Sequence, residues 1–239
     1  MGSQSRYSAA VSDELVIGAG RDAEMVDLGG GRILRRPRVP RPLDGEAFMM
    51  RLARAAGYPV PEVHEVRQDG MVMERVDGPT MLDDLAGHPW RVGRHARTLA
   101  DLHRRLHAIP AHALLPGRWG PPDDGDVMVH GDLHPDNVLL SPAGPVVIDW
   151  SSAGRGPGGA DVADAWLLLA AADAPARGLL RVMVTALRAR FLDEFLRHAG
   201  RQEAARHLEA AARLRTADTN LSETEKAAMR ALAAKHARP

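Results

Sequence analysis

Between residues 128 and 150 the chain reads Met-Val-His-Gly-Asp-Leu-His-Pro-Asp-Asn-Val-Leu-Leu-Ser-Pro-Ala-Gly-Pro-Val-Val-Ile-Asp-Trp. The apolar runs 138–140 and 146–148 flank a glycine-containing turn at 141–144, which reads as a small hairpin. That hairpin returns Asp149 to the loop carrying Asp132 and Asn137, so three oxygen-bearing side chains share one small volume. Phosphoryl transfer needs such a set. One carboxylate orients the attacking hydroxyl and accepts its proton, while a second carboxylate and an amide oxygen hold Mg²⁺ against nucleotide phosphates. Mg²⁺ prefers hard oxygen donors, which Asp and Asn supply. The alternation of His130, Asp132, His134 and Asp136 also suits a hydrolase metal site, but no further His/Asp cluster follows it downstream. A merely solvated turn would not require an apolar hairpin that ends on Asp.

His130-Gly131-Asp132, Asn137 and Ile148-Asp149-Trp150 resemble the catalytic loop and metal-binding signature of the aminoglycoside phosphotransferase family, the small-molecule branch of the protein-kinase-like fold. Asp132 and Asn137 keep the kinase spacing of Asp, four residues, then Asn. Gly131 stands where protein kinases carry Arg, and Trp150-Ser151 where they carry Phe-Gly. The resemblance implies an α+β, two-lobed fold. A small antiparallel-sheet N-lobe with one helix would occupy residues 1–77 and a larger, mainly helical C-lobe 78–239. It also implies Asp132 as the catalytic residue, Asn137 and Asp149 as metal ligands, and ATP or GTP with Mg²⁺ as cofactors.

The N-terminal part fits this scheme. Residues 15–17 and 23–26 read as two strands about a turn containing Gly18 and Gly20, a geometry that lets backbone N–H groups approach phosphates. A glycine hairpin is usually only a hairpin. This one resembles the kinase glycine-rich loop, although Ala23 replaces its third glycine and Met25 its valine. The third strand, 32–36, carries no Lys. Alternation puts Arg35 and Arg36 on opposite faces. Resemblance to the family's Leu-Arg favours Arg35 as the phosphate-binding cation, with Arg36 the fallback. Asp44 is a plausible N-cap for the helix that comes next, and Phe48, Met49, Leu52 and Ala53 form its apolar stripe. In the family a Glu placed like Glu46 pairs with the strand-three cation; a first-turn carboxylate also suits the helix dipole on its own. Residues 73–76 resemble the hinge between lobes, where backbone groups of Glu74 and Val76 would read the base and Met73 would line the back of its pocket.

From Thr80 the chain turns helical, with Leu99, Leu102, Leu106 and Ile109 on one stripe. His103 and His107 have the spacing of a zinc-protease helix but lack its Glu, so a helix packed beneath the catalytic loop is the better reading. Asp161-Val162-Ala163 resembles the family's Asp-Leu-Ala, whose Asp braces the catalytic loop through backbone hydrogen bonds. The loop between Asp149 and that helix is short, which favours a small-molecule acceptor over a peptide. Residues 179–198 read as an amphipathic helix with a stripe of Leu180, Val184, Leu187, Phe191 and Phe195, stopped at Gly200. Its Asp193 and Glu194 could receive a cationic acceptor or simply face solvent. Residues 202–215 form another helix, and a capping box at 222–225 opens the last.

The 239 residues carry 31 basic and 31 acidic side chains and no cysteine. Balanced charge argues against a nucleic-acid partner held by bulk charge. Without cysteine there are neither disulfides nor thiolate metal sites, and with no long apolar run the expectation is a cytoplasmic protein without a membrane partner. The expected activity is transfer of the γ-phosphoryl of ATP or GTP to a hydroxyl of a small molecule, an aminoglycoside or other antibiotic being one candidate, with antibiotic resistance as the consequence. The alternatives are a catalytically idle nucleotide-binding regulatory module and a protein kinase or ATPase of the same fold. Oligomeric state is left open by the sequence.

Overall fold

The computed structural model describes residues 15–19, 23–111, 115–119, 126–171, 178–219 and 221–236. The smaller lobe is an antiparallel sheet backed by a helix. It comprises β1 (Leu15–Ala19), β2 (Ala23–Gly29), β3 (Arg32–Pro37), α1 (Asp44–Ala55), β4 (Val63–Val66) and β5 (Met71–Glu74), with strand order β1-β2-β3-β5-β4. Gly30 and Gly31, at φ 59° and 74°, make the two-residue turn between β2 and β3. Only such a turn matches the twist of the flanking strands. The alternation on β3 is realised. Leu34 packs with Val26 and Val72 in a small cluster, while Arg35, 4% exposed, meets Glu46 of α1.

Asp44 does not cap α1. Leu43 occupies the cap position without a side-chain bond, and Asp44 and Glu46 both lie in the first turn. Leu43 is itself buried in the core, so burial sets where this helix starts, and the carboxylates serve the dipole of its first turn instead.

The larger lobe holds α2 (Met81–Gly87), α3 (Val92–His107), α4 (Gly158–Ala171), α5 (Gly178–Ala199), α6 (Arg201–Arg215) and α7 (Glu223–His236). Thr80 caps α2 by accepting the Asp83 N–H at 3.0 Å. Leu99, Leu102 and Leu106 on α3 are buried as the stripe requires. α7 opens with a reciprocal box in which Glu225 N–H donates to Ser222 Oγ (3.2 Å) and Ser222 N–H to Glu225 Oε2 (2.9 Å). The α5 stripe departs from expectation. Phe191 and Phe195 are buried, but Leu180 is 59% exposed. Periodicity marks a face; it does not say which turns of that face meet a partner. Among the described residues no helix is long and apolar enough to cross a membrane.

Phe195 is fully buried and its ring lies 5.3 Å from that of His103 on α3. Phe195→Ala is expected to destabilise the fold by about 3–5 kcal/mol through lost burial and the cavity left behind. Urea unfolding checks this, and a loss under about 1 kcal/mol contradicts the packing described.

Candidate active site

Two short ribbons build the centre: β6 (Val127–Val129) with β9 (Gly154–Gly156), and β7 (Val138–Ser141) with β8 (Gly144–Val147). The β7–β8 register runs from Ser141↔Gly144 to Val138↔Val147. One further bond, Ile148 N–H to the Asn137 carbonyl at 3.0 Å, continues it. Asp149 therefore leaves the hairpin next to Asn137. Its φ is 59°, and among the described residues it is the one non-glycine in the left-handed region. That conformation costs about 1–2 kcal/mol and is anchored by its neighbour Trp150. The Trp150 side chain is buried, donates its indole N–H to the Val147 carbonyl (3.0 Å), and packs edge-on against Tyr58 and His130. So turned, Asp149 reaches across to the small lobe, with Oδ1 3.3 Å from Arg35 Nη2.

Asp161, on α4, fixes the loop ahead of Asp132. Its Oδ1 accepts the Gly131 N–H (2.7 Å) and its Oδ2 the His130 N–H (3.2 Å). His103 and His107 turn inward on the same carboxylate, His107 Nε2 at 2.9 Å and His103 Nδ1 at 3.6 Å. Burial would raise the Asp161 carboxyl, but these hydrogen bonds and charges outweigh it and hold it well below the usual range. His130 is drawn down by burial, and its ring hydrogen-bonds the Ile148 carbonyl at 3.1 Å. The loop bearing Asp132 and the segment bearing Asp149 are thereby tied together. Gly131 has φ 71°, and a Cβ there would collide with the Arg118 guanidinium, whose Nη2 donates to the Gly131 carbonyl (2.9 Å). This is a physical reason for glycine where protein kinases carry Arg.

Asp132 is gripped from two sides. Asn137 Nδ2 donates to its Oδ2 (3.1 Å) and its carbonyl (2.8 Å). Arg215, the last residue of α6, donates from Nη2 to its Oδ1 at 2.6 Å. Burial would raise this carboxyl; the nearby His134 and the charge of Arg215 pull it well below the ordinary range. With Nδ2 committed to Asp132, Asn137 has its amide oxygen left for a cation.

The remaining residues singled out from sequence are distributed over both lobes. Arg35 pairs with buried Glu46 at 3.0 Å; burial pushes the Glu46 carboxyl up, against the pull of Arg35 and Arg41. Arg36 instead lies 3.6 Å from Asp69 in the β4–β5 turn. Gly18 is paired within β1, opposite Met25, and not in the turn the sequence suggests, and Gly20 falls outside the described residues. Met73 is buried on β5. The N–H of Glu74 is already given to the Glu62 carbonyl (2.8 Å), leaving its carbonyl as the group it can offer. Val76 comes after β5 in the connection to α2. Asp193 and Glu194 are engaged by arginines: Arg201 lies 2.7 Å from Asp193, and Arg97 2.7 Å from Glu194.

Sequence reasoning missed Arg118, Asp164 and Arg215. Asp164 did leave a signal: a carboxylate inside the apolar α4 run must find a cation, and Arg215 Nε answers it at 2.7 Å. Arg215 left none, because a basic residue in a last helical turn is favoured by the dipole alone.

The fold is two-lobed and protein-kinase-like, and it brings Asp132, Asn137, Asp149 and Arg35 into one region. The family model described as "Phosphotransferase enzyme family" matches residues 14–126 and 112–210, and the chain belongs to that family. Among solved structures it is similar to a thermostable mutant of aminoglycoside phosphotransferase APH(4)-Ia in ternary complex with AMP-PNP and hygromycin B, with TM-score 0.62, 17% identity and 95% of each chain covered. It is similar to a choline/ethanolamine kinase family protein from Mesorhizobium loti, with TM-score 0.61, 16% identity, and 96% of this chain and 92% of that one covered. At these identities the likeness is one of fold. Among curated proteins, the probable serine/threonine-protein kinase BUD32 homolog of Archaeoglobus fulgidus is 32% identical over 109 residues, 45% of this chain and 44% of that protein. A probable bifunctional tRNA threonylcarbamoyladenosine biosynthesis protein of Methanoculleus marisnigri is 28% identical over 150 residues, 57% of this chain and 24% of that protein. The chain thus matches under half the length of these curated relatives.

Gly131→Ala is expected to destabilise the fold by about 1–3 kcal/mol from strain and to displace Arg118. Unfolding measurements check it, and a neutral change contradicts the crowding at the Gly131 carbonyl.

Proposed function

We propose that the chain transfers the γ-phosphoryl group of a nucleoside triphosphate, ATP or GTP, to a hydroxyl of a small molecule. The observation that carries this reading is the chain of contacts across the lobes: Glu46 to Arg35, Arg35 to Asp149, with Asp149 beside the Asn137–Asp132 pair. Arg35, held by Glu46, would bind phosphate oxygens. The carboxylate of Asp149 and the amide oxygen of Asn137 are hard donors on adjacent backbone and would hold Mg²⁺, which when bound supplies charge neutralisation at the phosphates. Asp132 would orient the acceptor hydroxyl and take its proton. Its carboxyl is held low, so positioning contributes more than basicity, in keeping with a transition state that asks little of a base. Residues 1–77 would supply the nucleotide-binding lobe, with Gly18 and Gly20 over the phosphates and Met73, Glu74 and Val76 at the base. Residues 78–239 would supply the catalytic and acceptor lobe.

A small acceptor is supported by the eight residues between Asp149 and the start of α4 at Gly158, most of them a short helical turn and β9. A peptide platform needs a longer segment. Hygromycin B in the APH(4)-Ia complex, and the name of the choline/ethanolamine kinase family protein, support acceptors of this size. The chemistry suits the cytoplasm, and an antibiotic acceptor would make the protein a resistance determinant. A second reading, phosphorylation of a protein, draws on the Archaeoglobus fulgidus relative.

A panel of aminoglycosides, a macrolide, choline, ethanolamine and a peptide library, assayed with Mg·ATP and Mg·GTP, separates the two. Transfer to a small molecule supports our reading; transfer to peptide alone overturns it. Asp132→Ala is expected to lower turnover by at least about 100-fold while leaving nucleotide affinity within about threefold of wild type. Wild-type turnover in that variant removes Asp132 from its role.

A further inference from the structure

We propose that Arg215 is a positioning residue of the active centre, reaching from the end of α6 to fix the carboxylate oxygen of Asp132 that Asn137 does not hold. This rests on the phosphotransferase reading above. The guanidinium is 9% exposed and 83 residues distant in sequence from its target. Its Nη2 lies 2.6 Å from Asp132 Oδ1 and 2.7 Å from the Gly131 carbonyl, while Nε and Nη2 grip Asp164 at 2.7 and 2.5 Å.

The division of labour is set by the geometry. Asp164 is 1% exposed on α4, the helix that also carries the loop-bracing Asp161. It gives Arg215 a counter-charge that does not move, so the position of Arg215 does not depend on what Asp132 is doing. The terminal torsion of an aspartate is broad. Here Asn137 holds one oxygen of Asp132 and Arg215 the other, and the torsion has nowhere to go. Two carboxylates share one guanidinium, so Asp132 keeps enough negative charge to accept a hydrogen bond from a hydroxyl. Misplacing a catalytic group by about 1 Å can cost on the order of 100-fold in rate. The guanidinium places two nitrogens, Nε on Asp164 and Nη2 between Asp164, the Gly131 carbonyl and Asp132, whereas a lysine has one nitrogen and cannot occupy both positions. The helical C-terminal portion therefore completes the catalytic centre as well as enclosing it.

The test is steady-state hydrolysis of Mg·ATP with water as acceptor, on the full chain. Arg215→Ala is expected to lower kcat about 100-fold with KM for ATP changed by less than about threefold. Added ethylguanidinium should restore at least roughly tenfold of that loss, and should restore nothing in Asp132→Ala. Arg215→Lys should still fold, with a lowered melting temperature, and lose roughly tenfold in kcat. The proposal is overturned if Arg215→Ala keeps wild-type kcat, if its loss appears in KM instead, or if ethylguanidinium restores nothing. Should Arg215→Ala not fold, Arg215→Lys decides: a lowered kcat in a folded protein supports the proposal, and an unchanged kcat overturns it. Absence of any Mg·ATP turnover in wild type, with water or with the acceptor panel, overturns the phosphotransferase reading itself, an outcome distinct from active wild type with unaffected Arg215 variants.

Discussion

A charged carboxylate sealed inside the larger lobe, that of Asp161, holds the loop ahead of Asp132 by its backbone. Isolated, such a charge would neutralise or stay out of the core. Two imidazoles and two main-chain N–H groups keep it ionised where it is. Because it grips N–H groups, the loop's path is set without regard to the side chains the loop carries. Asp132 can then be aimed by its own neighbours, and the His130 ring can tie that path to Ile148 and so to Asp149. The interior of the large lobe and the placement of Asp132 and Asp149 are in this sense one construction.

The same pattern appears elsewhere. Formal charge sums to zero over the chain, and its most buried charges meet partners at short range: Arg35 with Glu46, Arg215 with Asp164, Asp161 with its histidines. Buried pairs of this kind return little net stability once desolvation is counted. What they contribute is direction. Arg35 would otherwise be free to sweep; between Glu46 and Asp149 it points into the junction of the lobes.

How far the sequence discloses this depends on the range of the interaction. The 128–150 stretch is legible because everything it needs is local: a turn, two apolar runs and a fixed register. Strand alternation puts Arg35 and Arg36 on opposite faces, the resemblance to the family's Leu-Arg favours Arg35, and in the structure Arg36 lies beside Asp69 of the β4–β5 turn. The capping box at Ser222 is equally local. Asp44 reads as a cap and is not one, because a buried Leu43 governs the start of α1. Leu180 is expected on a packed stripe but stands exposed, since the packed part of that face begins further along α5. Arg215 stays hidden for the strongest reason: its contacts lie 51 to 84 residues away, and nothing nearby requires them.

Catalysis on these terms requires Asp149 and Asn137 to face one position that a divalent ion can fill. Anomalous scattering from crystals grown with Mn²⁺ and AMP-PNP measures this directly. The predicted result is a manganese peak bonded to the Asn137 amide oxygen and the Asp149 carboxylate, with the nucleotide phosphates against it and Arg35 in reach of them. Nucleotide bound with manganese elsewhere, and these two side chains uncoordinated, would contradict it.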